Sequence, residues 1–376
     1  MLTSLEVENY RNFKHLTIEK LGRVNLIIGK NNTGKSSLLE AVSILIKQND
    51  LDWIYSILEK RREHFEVEEM NPQQKLKSIS NLFYGRKTAF DDLNSIRIVA
   101  NSFGKNKSLT LRVSSYKETN AFSEVDTPPE VSELLGQMYS KREEVDPSIG
   151  EKFGIKFTID DKVHFSSFSR ESVLDMMNVL KGNSQRENMV QYVTTNTENE
   201  TFIFDLWQKT QLTEAEFDVI KALQVFDSSL EKIERIGFAT QNDIDYAICK
   251  VKGIPSPIPL RSMGDGINRV LTIILAMVNC QDGYFLVDEF DMGLHHSVQK
   301  QLWEIVFYLA NKLNIQVFAT THSQDTIKTF QTVANGKAEY EDTILIKLVN
   351  KQGNIEAITA NANELEEIVE DLIDIR

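Results

Sequence analysis

An α/β fold with a mixed sheet flanked by helices is what the 376-residue sequence predicts, on three observations. A glycine-rich turn, Gly29-Lys-Asn-Asn-Thr-Gly34-Lys35-Ser36, joins a short apolar run to an amphipathic segment. A second apolar run, residues 284–287, ends abruptly in Asp288-Glu289. A further expected strand, residues 315–319, follows a stripe of helical periodicity. The last two form a strand–helix–strand unit, which implies a parallel pair with a right-handed crossover.

Taken in order, Leu5 and Val7, then Leu16 and Ile18, alternate with polar residues, and residues 24–28 form a short, largely apolar run, so three short strands open the chain. After the glycine-rich turn, Leu38, Leu39, Val42, Leu45 and Ile46 share one face of a helix starting near Lys35. Residues 51–235 mix expected strands at 96–99, 109–113 and 155–159 with helical segments at 171–180 and 214–236. No heptad pattern is sustained, so a long coiled-coil arm is not expected. A helix over 267–280 precedes the 284–287 strand, and Val298, Leu302, Ile305, Val306, Leu309 and Leu313 mark the crossover helix. Residues 364–376 read as a docking helix with an acidic face. The core is expected to be discontinuous, built from residues 1–50 and 236–376. Residues 51–235 would supply additional strands and a largely helical insertion.

Composition is that of a globular chain, with 41% apolar and 26% charged residues. No apolar run is long enough to span a bilayer, and the start lacks the pattern of a secretory signal. Cys249 and Cys280 have no metal-ligand spacing, which fits a reducing cytoplasm. The net charge of −13 argues against a broadly basic nucleic-acid surface, though not against a local patch. Lys60-Arg61-Arg62, Arg86-Lys87, and the pair Lys105 and Lys107 are the clearest basic clusters in the first third of the chain, candidates for nucleic-acid contact although such short runs are usually solvated faces.

The glycine-rich turn fits G-x-x-x-x-G-K-[ST] in the context the chemistry requires, after a strand and opening a helix. Glycines let successive N–H groups of Gly29, Asn31, Asn32, Thr33, Gly34, Lys35, Ser36 and Ser37 turn inward toward phosphate oxygens, and the helix N-terminus adds positive potential. Lys35 would reach the β- and γ-phosphates of ATP, and Ser36 would ligate Mg²⁺. Asp288 would share the metal, and Glu289 would orient or deprotonate the attacking water. A capped strand end explains one acid but not the pair. Residues 319–322, Ala-Thr-Thr-His, bring His322 to the same sheet edge, where an imidazole can bond the γ-phosphate or the water. Ser262-Met-Gly264-Asp265-Gly266 opens the preceding helix; alone it reads equally well as a capped start.

The order of phosphate loop, long insertion, serine–glycine segment, acidic pair and strand-end histidine resembles the ABC-type ATPase superfamily. It looks most like the RecF/SMC/OLD branch, which handles DNA rather than transport. Val287-Asp-Glu-Phe-Asp-Met-Gly-Leu-His-His296 is similar to that branch's DE-x-x-x-G-L-H stretch, and Asn9-Tyr-Arg-Asn-Phe13 to its first strand. The likeness covers about residues 1–48 and 255–330. It implies an ABC-type core in which Ser262, Gly264, Asp265 and Gly266 face the γ-phosphate bound by a second copy, in a head-to-tail homodimer or higher assembly. By the same resemblance Asp291 links the two sites and His322 is the switch histidine. Asp265 stands where transporters carry glycine, and the glutamine that couples metal to insertion has only Gln73 and Gln74 as candidates. About fifty residues follow His322, so an OLD-type nuclease centre is not expected.

The expected function is ATP hydrolysis that gates a separate effector protein, as in the ATPase subunits of bacterial anti-phage systems. A DNA-maintenance ATPase and a nucleotide-sensing scaffold are the alternatives, with DNA a candidate partner and membranes not.

Overall fold

A computed structural model describes residues 1–63, 72–87, 94–102, 105–120, 140–144, 152–167, 190–195, 200–237, 246–263, 266–361 and 364. The central sheet is made of β3 (Val24–Gly29), β9 (Val190–Val193), β13 (Tyr284–Val287), β14 (Gln316–Thr320), β15 (Thr343–Lys351) and β16 (Asn354–Asn361). Its order is β16-β15-β3-β14-β13-β9. All neighbours are parallel except the β15–β16 hairpin, so the sheet is mixed as expected.

Strands β3, β9, β13 and β14 are buried along their whole length because both faces of the sheet are covered there. Leu26, Ile28, Phe285, Val287, Val317 and Ala319 point into one core with α6 (Gly266–Val278), α7 (His296–Lys312) and α8 (Gln324–Ala334). Ile27, Leu286 and Phe318 point into the other, with α1 (Lys35–Lys47) and α2 (Leu51–Lys60). A second, antiparallel sheet covers that side. It contains β1 (Ser4–Tyr10), β2 (Phe13–Ile18), β4 (Ile96–Ser102), β5 (Lys105–Asn120), β7 (Lys152–Ile159) and β8 (Lys162–Ser167), with β6 (Ser140–Glu144) on β5. Helix α1 lies between the sheets, touching β3, β9, β13 and β14 on one side and β1, β4 and β5 on the other.

The two chain ends are pinned together by buried polar bonds. The Gln316 side chain accepts from Leu2 N at 2.7 Å and donates to the carbonyls of Leu2 and Gly22, both at 2.8 Å. The expected strands at 96–99, 109–113 and 155–159 lie within β4, β5 and β7. Segment 171–180 lies outside the described residues, as does the docking helix apart from Glu364.

One helix is corrected. Instead of running over 214–236, it stops as α5 (Glu214–Gln224), and β10 (Leu230–Gly237) follows. The Asp227 carboxylate accepts from Ser229 N at 2.9 Å and Ser229 Oγ at 2.6 Å. That local turn competes with the helical hydrogen-bond ladder. Strand β10 then joins β11 (Tyr246–Val251) and β12 (Ile258–Pro259) in a three-stranded sheet. Two further helices, α3 (Pro72–Ser80) and α4 (Glu200–Thr210), complete the described α-helices, and none of the described helices is long and apolar enough to cross a membrane.

Candidate active site

The phosphate loop leaves β3 at Gly29 and enters α1 through Gly34, which has φ +90°. A Cβ at Gly34 would sit 2.7 Å from the Phe13 ring, and one at Gly29 2.6 Å from the Leu348 carbonyl oxygen. Both positions therefore need glycine for backbone conformation and for space. This also gives the Asn9–Phe13 run a physical role. Phe13 packs on the loop, and Asn12 Nδ2 donates to the Asn32 carbonyl at 3.2 Å. Thr33 Oγ1 closes the turn on the Lys30 carbonyl at 2.8 Å.

Lys35 is 6% exposed, and its ammonium donates to the carbonyls of Gly29 at 2.9 Å and Lys30 at 3.1 Å. Burial pushes its pKa down to about 8, against the opposing pull of Asp288 and Glu289. A cation held on weak neutral acceptors beside two carboxylates is suited to an anionic ligand that supplies the missing charge.

Strand order places β14 between the phosphate-loop strand and the acidic strand. Thr320, the last residue of β14, donates its hydroxyl proton to Asp288 Oδ1 at 2.5 Å and accepts from Glu289 N at 2.9 Å. Glu289 has φ +48°. The next threonine, Thr321, hydrogen-bonds Asp291 through its hydroxyl and accepts from Ser323 N at 2.9 Å, which brackets His322. Burial and then Lys35 lower the His322 pKa, so a neutral imidazole is favoured at neutral pH.

Asn31, Asn32, Gly34, Lys35, Ser36, Ser37, Asp288, Glu289 and His322 line one cavity of about 360 Å³. Gly29 and Thr33 are not among its lining residues; the Gly29 carbonyl holds Lys35 and the Thr33 hydroxyl closes the turn. Ser36 and Asp288 offer only oxygen donors, which fits a hard divalent cation such as Mg²⁺. Such an ion would neutralise phosphate charge there.

Among the described residues of the serine–glycine segment, neither Ser262 nor Gly266 lines this cavity. Ser262, in the 3-10 turn Leu260–Met263, is exposed, and Gly266 opens α6. Gly266 is close to the Gly293 carbonyl and Leu294. Gly264 and Asp265 lie outside the described residues, as does the Gln73 side chain. Gln74 stands in α3, away from the cavity lining.

Two lining residues were missed in the sequence, Asn12 and Arg61. Arg61 sits in a basic run that reads as a solvated face. Its partner carried the signal: Glu40 is an acid on the apolar α1, buried between Arg11 Nε and Arg61 Nε, both at 2.6 Å. A buried carboxylate demands a cation, and a second one, Arg61, is thereby delivered to the cavity.

The chain belongs to the AAA ATPase domain family, whose pattern matches residues 1–327. It is 26% identical over 350 residues to a Helicobacter pylori protein named ATP/GTP phosphatase, covering 90% of this chain and 89% of that one. A 44-residue stretch is 43% identical to the DNA replication and repair protein RecF of Bacillus mycoides, 12% of each chain. Among solved structures, the SmcHead bound to the C-winged helix domain of ScpA superposes with a TM-score of 0.53 at 10% identity, over 97% of this chain and 99% of that one. The fold is thus that of the SmcHead, and the short RecF match is a local one.

Proposed function

We propose that this chain hydrolyses ATP between two copies of itself and that the resulting opening and closing gates a separate effector protein. The observation that carries the reading is the convergence of Lys35, Ser36, Asp288, Glu289 and His322 on one cavity from segments more than 250 residues apart. In this reading Lys35 and Arg61 hold the phosphates, and Ser36 and Asp288 share the metal. Glu289 takes a proton from the attacking water, and His322, as a neutral imidazole, bonds the γ-phosphate or that water. The Helicobacter relative is named for both nucleotides, so GTP is the second substrate to assay.

The dimer reading is supported by the placement of Ser262 and Gly266, which belong to a signature-like segment yet lie outside their own chain's cavity. A second copy's triphosphate is the ligand that Ser262, Gly264, Asp265 and Gly266 would meet. Gating of an effector follows the likeness to stand-alone ATPases of anti-phage systems, and the buried thiols of Cys249 and Cys280 fit a cytoplasmic setting.

Mixed variants test the arrangement. Lys35→Ala and Ser262→Arg should each abolish turnover alone. Mixed together they should recover a fraction of it, because one composite site in each mixed dimer is intact. No recovery contradicts the shared site, and turnover stimulated by DNA moves the reading to DNA maintenance.

A further inference from the structure

We infer that Thr320 is a positioning residue for the metal, selecting which oxygen of Asp288 faces the ion. The inference deepens the ATPase reading and rests on it. Thr320 is fully buried at the end of β14, between the phosphate loop and the acidic pair. A threonine hydroxyl has one proton and two lone pairs. The Glu289 amide can only donate, so at 2.9 Å it uses a lone pair of the hydroxyl. The proton is then committed to Asp288 Oδ1, 2.5 Å away. The same residue's carbonyl accepts from Phe290 N at 2.9 Å. One side chain and its backbone therefore hold three consecutive residues, Asp288, Glu289 and Phe290.

Two consequences follow. Oδ1 of Asp288 is occupied by a strong hydrogen bond, so Oδ2 is the oxygen turned to the cation or its water. The Glu289 backbone, at φ +48°, is held in a conformation that non-glycine residues rarely adopt. Its carboxylate is aimed by the bond that also fixes the metal ligand. The acid that holds the metal and the acid that activates water are set by a single hydroxyl.

The test uses the full chain with Thr320→Val, which keeps the branched shape but not the hydroxyl, and Thr320→Ser, which restores it. Mn²⁺ uptake with ATP is followed by the loss of the free-ion paramagnetic resonance signal, alongside phosphate release over a Mg²⁺ series. The half-saturating metal concentration should rise about 10–100-fold in Thr320→Val and return to near wild type in Thr320→Ser. Metal-free nucleotide binding should stay unchanged. If Thr320→Val does not fold, Thr320→Cys, with a weak donor of similar size, should show an intermediate rise. A wild-type metal dependence in the folded variant overturns the inference, as does an equal loss of metal-free nucleotide binding. If the wild type itself takes up no Mn²⁺ with ATP, the ATPase reading fails and this inference falls with it.

Discussion

Arg269, in the helix opened by the serine–glycine segment, donates to the Asp288 carbonyl at 2.9 Å while only 1% exposed. The same guanidinium reaches the Glu289 carbonyl at 3.1 Å and the Thr194 carbonyl at 3.2 Å. Helix α6 is thereby bonded to the Asp288–Glu289 turn, which Thr320 also holds. Replacing Arg269 by Met removes a donor from each of three part-buried carbonyls, of which that of Glu289 keeps a second donor, Met292 N at 3.0 Å. It should lower stability by about 2–4 kcal/mol, read as a shift in the urea midpoint, with Arg269→Lys intermediate. An unchanged midpoint would show that these bonds contribute nothing.

Gly34→Ala places a methyl 2.7 Å from the Phe13 ring at φ +90°. The loop must distort, at a cost of about 1–3 kcal/mol. Nucleotide affinity should fall at least about tenfold, as measured by calorimetry. Trimming Phe13 to Ala in the same chain relieves the contact but not the backbone strain, so recovery should be partial.

Lys35 gives a pH signature. Its folded pKa of about 8 lies below the ordinary 10.5. The charge is therefore lost as pH rises through about 8, well before an unfolded lysine loses it. Burying the ammonium opposes folding below that pH, and the penalty fades as pH climbs toward 10.5. Triphosphate binding has the opposite sign, because it needs the charged form. Affinity should fall above about pH 8, and binding there should take up protons, seen as a dependence of the calorimetric heat on buffer ionisation enthalpy. Lys35→Arg stays charged over this range and should show neither effect.

Glu40 neutralises Arg11 and Arg61 at once, and Arg11 is deeply buried. Glu40→Ala leaves that charge with Glu63 alone at 2.7 Å. It should cost about 3–5 kcal/mol, and it should weaken nucleotide binding through Arg61. A denaturation curve matching the wild type would remove Glu40 from the account.

Much of this site was legible because its chemistry is written in short contiguous runs. The strand Tyr284–Val287 has the bounds its apolar run predicts, since burial on both faces leaves no polar interruption and the acids mark its end. The phosphate loop was equally plain, since glycine is required at Gly29 and Gly34 for reasons visible in any backbone that closes on phosphate. Other features were not readable. Strand β9, Val190–Val193, is four residues long and has no periodicity, yet it pairs with β13 at the sheet edge. Residues 225–233 carry apolar positions at helical spacing, and only the Asp227–Ser229 turn breaks them. Arg61 gains its place from Glu40, a tertiary contact that no spacing along the chain encodes.

Phosphate release from ATP with Mg²⁺, compared between the wild type and Glu289→Gln, decides whether Glu289 activates the attacking water. The wild type should turn over. The variant should retain nucleotide and stay dimeric longer, and it should release phosphate at least about 100-fold more slowly. Equal rates in the two proteins would contradict the assignment of Glu289 to the attacking water.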